Sequence, residues 1–429
     1  MLLLQTEPGF WDAFTLIALA ALAFVLVGLL LALMILFVRR RLVPSGDVKI
    51  HINDNDSLTK EVKTGQTLLS ALTLNGIPIP SPCGGKATCK QCKVRVKEGG
   101  GAILETERSA FNRKEIASGW RLSCQCKVKN DISIEVPEDL LEVEEFTGTV
   151  LSNQNVATFI KELAVEIPQP IEYRSGGYLQ FHIPRFSTNT EEWRATIDPE
   201  YQPDWEAYHL FGQELDFAQI PDNFVRAYSM ASYPAEGSRL LFNIRIATPP
   251  KSGLPWGVAS SYLFSLKAGD KVQMSGPYGE SFMIPGDQEL VFLIGGAGSS
   301  FGRSHILHLF HTEKTERKVT LWYGARSLRE NIYQEEFEAL DRDFPNFTYH
   351  LVLSEPLPED LESGWPKEDP LKTGFVFKAF EEGQLKKMGD PDEALYYVCG
   401  PPLHNKAVMK LLDDYGVPRD NIVLDDFGS

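Results

Sequence analysis

The longest apolar stretch comes first: residues 13 to 38 carry no charge and are dominated by Leu, Ala, Val and Phe. As a helix they span about 39 Å, enough to cross a hydrocarbon core about 30 Å thick. Arg39, Arg40 and Arg41 follow at once, while only Glu7 and Asp12 precede. That asymmetry predicts a single-pass helix with the N-terminus outside and the rest of the chain cytoplasmic. A cleaved signal peptide needs a basic start and a shorter apolar core, and neither is present.

Beyond this first segment, 1–43, the pattern changes twice more. From 44 to 142, Val48–Ile52 alternates as a strand and Gln66–Asn75 has helical spacing stopped by Gly76. Further strands fall at Lys93–Val96, through Leu122 and at Ile132–Val136, with a short helix near Ser109–Ala117. That order predicts a small β-grasp domain. From 143 to 285, short runs at Thr147–Leu151, Ile160–Ile167, Gly177–Ile183, Arg226–Ser232, Arg239–Ala247 and Lys271–Ser275 predict an antiparallel barrel. An acidic, aromatic insertion between Phe186 and Asn223 has no clean period and no assigned role. From 286 to 429, strands at Leu290–Ile294, Val319–Tyr323, Phe347–Leu353, Ala394–Val398 and Ile422–Leu424 alternate with helices, the mark of a parallel α/β sheet. The expected fold class is a multidomain α+β chain behind one transmembrane helix.

Composition removes some functions and adds one. A net charge of −16, from 42 basic and 58 acidic residues, argues against nucleic-acid binding. The six cysteines are bunched, three of them between Cys83 and Cys92 and two more at Cys124 and Cys126, which points to metal in a reducing compartment rather than disulfides. Cys83, Cys89 and Cys92 with one distant partner follow the plan of a 2Fe-2S cluster held by four thiolates. A structural zinc site usually takes two separated CxxC knuckles, and only one occurs here. Cys124 is the preferred fourth ligand. Cys126 is the alternative, because i and i+2 share a strand face.

Near the middle, Arg226-Ala227-Tyr228-Ser229 reads as a strand suited to FAD: Tyr228 and Ser229 flank the ring, Ser229 can donate to N5, and Arg226 can meet the pyrophosphate. Gly257–Tyr262 opens a helical run whose amides, with Ser260 and Ser261, make a second anion site for FAD. Gly295-Gly296-Ala297-Gly298 after the first strand of the last segment suits a dinucleotide pyrophosphate, though it departs from GxGxxG. His305, His308 and His311 recur every three residues. Lacking a carboxylate partner, they fit a mixed core-and-surface helix better than a metal set.

Taken together, these features resemble the F subunit of Na+-translocating NADH:quinone oxidoreductases over essentially the whole length. The likeness rests on the anchor, the cysteine spacing with Leu122-Ser123-Cys124-Gln125, Arg226 to Ala231, Trp322 to Ser327, Cys399-Gly400-Pro401-Pro402 and the ending Leu424 to Ser429. It implies an inner-membrane protein in which NADH delivers electrons to FAD and a 2Fe-2S cluster hands them to partner subunits. Those subunits would reduce ubiquinone and move sodium. It also implies that Cys399 lies near the donor carbon and that Phe427 covers the flavin face. The reductase of a membrane-associated oxygenase is the rival enzyme reading, and a zinc-stapled membrane adaptor the non-enzymatic one. Where the family usually has proline in the nicotinamide loop this chain has Phe301, which puts the loop's shape in question. After Tyr323, the residues Arg326, Ser327 and Arg329 precede the first carboxylate, Glu330, a local pattern that leans toward NADPH. The resemblance leans toward NADH, by at least about tenfold in efficiency. In that case Arg326 would pair near Glu335 and Glu336 or hold the nicotinamide-side phosphates.

Overall fold

The computed structural model describes residues 10–42, 46–141, 143–221, 224–249 and 253–426. By backbone proximity they fall into two compact units, Met1–Ala71 with Lys93–Val136, and Leu72–Cys92 with Pro137–Ser429.

In the first unit a helix runs over Phe10–Leu42. Its segment Ile17–Ile35 is, among the described residues, the one helix long and apolar enough to cross a membrane, and none of it is buried. The unit's sheet has strands β1 (Asp47–Ile52), β2 (Asn55–Lys63), β3 (Lys93–Glu98), β4 (Trp120–Leu122) and β5 (Ile132–Glu135), in the order β2-β1-β5-β3-β4. Ile50, Ile52, Val94, Leu122, Ile132 and Ile134 fill its core. β2 goes beyond the strands expected from sequence, and its composition explains why: on this polar edge strand only Val62 is buried. What makes it a strand is the turn before it. Asn53 and Asp54 both take φ of +53°, the pair of left-handed residues that a tight hairpin needs. Behind β4 the Arg121 guanidinium and the Glu107 carboxylate form a buried ion pair at 2.6 Å. Leu122 N–H also donates to Glu107, at 3.1 Å, so this charge is well satisfied.

Among the described residues the second unit holds two large sheets and a two-stranded ribbon. The antiparallel one contains β6 (Glu144–Ala157), β7 (Ile160–Glu166), β8 (Tyr178–His182), β11 (Val225–Ser229), β12 (Arg239–Arg245) and β13 (Lys271–Tyr278), in the order β11-β8-β13-β6-β7-β12. Met230 and Phe242 form a bridge between its end strands, and Ala231 N–H donates to Leu241 O at 2.7 Å. Leu163, Val165, Phe181, Met230, Phe242 and Ile244 pack inside. The insertion forms a small ribbon of β9 (Ser187–Asn189) with β10 (Glu214–Asp216) and a helix, Gln202–Ala207. Its Trp205 is fully buried against Phe211 and Phe264 and donates to Thr158 O at 2.8 Å.

The second sheet is wholly parallel: β14 (Leu290–Gly295), β15 (Val319–Ala325), β16 (Phe347–Leu353), β17 (Leu395–Cys399) and β18 (Ile422–Leu424), ordered β16-β15-β14-β17-β18. The chain starts in the middle and builds outward first on one side, then on the other. The reversal between β14 and β17 opens a crevice at their carboxyl ends, where open α/β sheets bind ligands. Gly295–Gly298 and Cys399-Gly400 both stand at that crevice.

Candidate functional site

Cys83, Cys89 and Cys92 close the stretch Leu72–Cys92 of the second unit. Cys83 and Cys92 are buried, Cys89 is half-buried, and the Sγ atoms of Cys83 and Cys89 lie 3.3 Å apart. Gly84, Gly85, Ala87 and Lys90 all have φ between +59° and +89°. For alanine and lysine that conformation costs roughly 1–2 kcal/mol each. A loop held so against local preference, around three thiols outside any disulfide, fits a cluster-binding loop. Ser81 anchors it by accepting from Gly84 N–H at 2.8 Å through its carbonyl and from Gly85 N–H at 3.1 Å through its hydroxyl.

In the first unit Cys124 is buried just after β4. The expectation that Cys124 and Cys126 share a strand face does not hold. Gln125 and Cys126 N–H both return to Leu122 O, at 2.9 and 3.1 Å, so the segment is a turn. Cys126 points its thiol at Gly100 O, 3.7 Å away.

On the flavin strand, Arg226 stacks on Phe224 at 4.1 Å. Its guanidinium also lies directly against Gly84, where a Cβ would come within 1.9 Å of Nη1. Burial lowers its proton affinity, and the nearby Tyr228 and Cys83 raise it. Two more bonds join this sheet to the cysteine stretch: Tyr178 OH to Gln91 at 2.7 Å and Gln180 to Ile79 O at 3.3 Å. Tyr228 packs edge-on to Phe181, 5.7 Å between ring centres, and burial drives its hydroxyl proton affinity up. The helix Val258–Ser265 starts after Gly257. Ser260 Oγ is engaged in that turn, accepting from Ala247 N–H and donating to Gly257 O, each at 3.1 Å. Ser261 Oγ is buried without a hydrogen-bond partner among the described residues, an orphan suited to a bound anion.

The nucleotide side meets the flavin strand at a residue with no assignment from sequence. Asp425 follows β18 and its N–H donates to Val398 O at 3.0 Å. Its Oδ2 accepts from Ser229 Oγ at 3.1 Å and lies 3.9 Å from Cys399 Sγ. Burial lifts the Asp425 carboxyl to about 7, opposed by bonds from Ser229 and Ser281. Cys399 is also raised well above the usual thiol range, by burial and then by the Asp425 charge, so it is a neutral thiol rather than a nucleophile. Two adjacent acids near the chain end carry no pattern that singles out the first; only its burial does. Phe427 lies outside the described residues.

Gly296 takes φ of +55°, and Gly298 sits so close to β17 that a Cβ would stand 2.3 Å from Cys399 O. The helix Ser299–Leu307 follows. Phe301 adopts the helical backbone without proline, and its ring is buried 4.4 Å from His305. Arg303 secures this helix: it bonds Glu236 and Glu336 twice each, at 2.7–2.9 Å, and donates to Ala231 O at 2.9 Å. Glu336 is therefore Arg303's partner. Arg326 pairs instead with Glu330, at 3.2 Å. The three histidines diverge: His305 is buried and held neutral by that burial, His308 lies 3.4 Å from Glu313, and His311 packs near Tyr233. Alanine at Gly298 must push on a backbone carbonyl, so it is expected to weaken dinucleotide binding at least about tenfold, read by titration of the oxidised protein with NAD+, which cannot reduce the flavin.

Three family models match in succession: a 2Fe-2S iron-sulfur cluster binding domain over residues 50–129, an oxidoreductase FAD-binding domain over 208–282 and an oxidoreductase NAD-binding domain over 292–410. The chain thus carries sites for a 2Fe-2S cluster, FAD and NADH. Among solved structures, a ferredoxin reductase in carbazole 1,9a-dioxygenase is 21% identical with a TM-score of 0.56, covering 89% of this chain and 99% of that one, a likeness of fold. Among curated proteins, the F subunit of the Na(+)-translocating NADH-quinone reductase of Chlamydia pneumoniae is 58% identical over 422 residues, 96% of this chain and 98% of its own length. The protein of the same name from Neisseria gonorrhoeae is 46% identical over 416 residues, 96% of this chain and 99% of its own. At that identity and coverage, the chain belongs to the family of Na(+)-translocating NADH-quinone reductase F subunits.

Proposed function

We propose that this chain is the electron-input subunit of a membrane NADH:quinone oxidoreductase, taking electrons from NADH and passing them to membrane subunits that reduce quinone and move Na+. The observation that carries the electron-input role is the meeting at Asp425 of Ser229, from the flavin strand, with Cys399, from the nucleotide sheet. When bound, FAD supplies the change from a two-electron donor to single electrons, and the 2Fe-2S cluster takes them one at a time.

The residues divide the rest of the work. Cys83, Cys89, Cys92 and Cys124 hold the cluster. Arg226 and the Ser261 hydroxyl would anchor the FAD pyrophosphate at the helix start that holds Ser260, with Tyr228 and Ser229 at its ring. Gly295, Gly296 and Gly298 would receive the NADH pyrophosphate, and Cys399 would border the nicotinamide. Domain limits at 44–142, 143–285 and 286–429 follow the same division. Arg39, Arg40 and Arg41 support an inner-membrane helix with its N-terminus outside and the redox domains cytoplasmic.

Removing residues 1 to 40 tests the role. The truncated protein is expected to be soluble and to reduce artificial acceptors with NADH. In membranes lacking the native chain it should fail to restore sodium-stimulated quinone reduction, which the full chain restores. Full restoration by the truncated form would remove the helix from the proposal; restoration by neither would remove quinone as the destination. Arg226→Ala is expected to weaken FAD binding by roughly 1.5–3 kcal/mol, the contribution of a charge-assisted contact. Equilibrium flavin release checks it, and unchanged affinity would limit Arg226 to the cysteine loop.

A further inference from the structure

β15 lies beside β14 in parallel register, Gly324 against Gly295. A dinucleotide whose pyrophosphate rests on Gly295–Gly298 therefore brings its adenosine ribose toward the end of β15. At such strand ends a carboxylate accepts from the ribose 2′-hydroxyl of NADH, whereas an arginine receives the 2′-phosphate of NADPH. Both charges follow β15 here, in Arg326, Arg329 and Glu330, so selectivity depends on which are already engaged.

Arg329 is gripped by the insertion. Its Nη2 lies 2.5 Å from Asp204 Oδ2, its Nη1 donates to Glu200 O at 3.2 Å, and its own carbonyl accepts from Tyr201 OH at 3.2 Å. Glu330 accepts from Thr158 N–H at 3.3 Å, from the Thr158 hydroxyl and from Arg326. Thr158 supports both carboxylates, because its carbonyl also receives the indole N–H of Trp205, the neighbour of Asp204. With Trp205 fully buried, the helix that carries Asp204 is fixed and its carboxylate pre-set. Arg245 is the other nearby cation: burial and then the charge of Arg326 lower its proton affinity. A 2′-phosphate arriving here finds Arg329 already held by Asp204; Arg326, paired with Glu330, and the buried Arg245 are the cations that remain.

We propose that the acidic insertion sets the preference for NADH over NADPH, with Asp204 withdrawing Arg329 from the 2′-phosphate. A segment whose sequence carries no legible role thereby becomes the specificity element of a neighbouring domain. The inference rests on the reading of Gly295–Gly298 as the pyrophosphate site. Gly298→Ala reports on that reading separately, since it should weaken both dinucleotides alike.

The test is stopped-flow reduction of the flavin in the FAD- and cluster-loaded full chain, with NADH and with NADPH. Asp204→Asn is expected to raise the NADPH-to-NADH ratio of second-order rate constants at least about tenfold, and adding Arg329→Ala should cancel the gain. Binding of adenosine 2′,5′-bisphosphate to the oxidised protein, followed by calorimetry, should tighten by a similar factor in Asp204→Asn, with 5′-AMP unmoved. A ratio and a bisphosphate affinity both within about twofold of the parent would overturn the proposal. Should Asp204→Asn fail to retain FAD, Arg329→Gln decides. An already neutralised arginine can be lost with less than a threefold change in the ratio, whereas a tenfold fall in NADPH use would show that Arg329 serves the phosphate.

Discussion

Alanine at Cys124 is expected to abolish the 2Fe-2S signal in electron paramagnetic resonance while FAD content stays normal and NADH still reduces the flavin. A 2Fe-2S cluster needs four thiolates, and removal of one leaves an iron with an open position. Cys124 lies in the turn after β4, outside the residues proposed for FAD and NADH. Cys126→Ala is expected to keep the signal, because the Cys126 thiol is directed to Gly100 O. A full-strength signal in Cys124→Ala, lost in Cys126→Ala, would reverse the two assignments.

The elements legible in the sequence are those whose own side chains carry the pattern. The apolar helix announces itself by length, and β14 to β18 by continuous apolar runs that a sheet covered on both faces requires. β2 is not legible, since its existence depends on the Asn53-Asp54 turn and on pairing with β1 rather than on burial of its own residues. The insertion shows the same limit: its aromatic residues suggest burial, but what they bury against, Thr158 and Phe264, is far away in sequence. In the site, the cysteine spacing and the Arg-x-Tyr-Ser strand are readable as chemistry. The partners of those residues are not. Glu336 is available on paper to Arg326 until Arg303 takes it, and Asp425 acquires its role only because folding removes it from water beside Ser229.

Asp425→Asn is expected to flatten a pH dependence that the parent shows in flavin reduction by NADH. In the parent, Asp425 titrates at about 7, lifted chiefly by burial from an ordinary 3.8. Above that value the carboxylate can only accept, so it draws the Ser229 hydroxyl proton toward itself across 3.1 Å. Below it the protonated acid can donate to Ser229 Oγ, which leaves the serine proton free for the flavin that Ser229 is proposed to meet. Reduction is therefore expected to fall as pH rises through about 7, by about tenfold, the effect of redirecting one hydrogen bond of roughly 1.5 kcal/mol. Asparagine presents an N–H donor to Ser229 at every pH, so its profile should stay level near the parent's low-pH rate. Stability follows with the same sign. A carboxyl whose folded value is raised contributes fully below its unfolded value, and that contribution is lost as pH rises from 3.8 through about 7. The gap amounts to roughly 4 kcal/mol across the window, and it should be absent from urea unfolding of the asparagine variant. A parent profile without a step near 7, or a variant that keeps the step, would assign the titration to another group and return Ser229 to a fixed orientation.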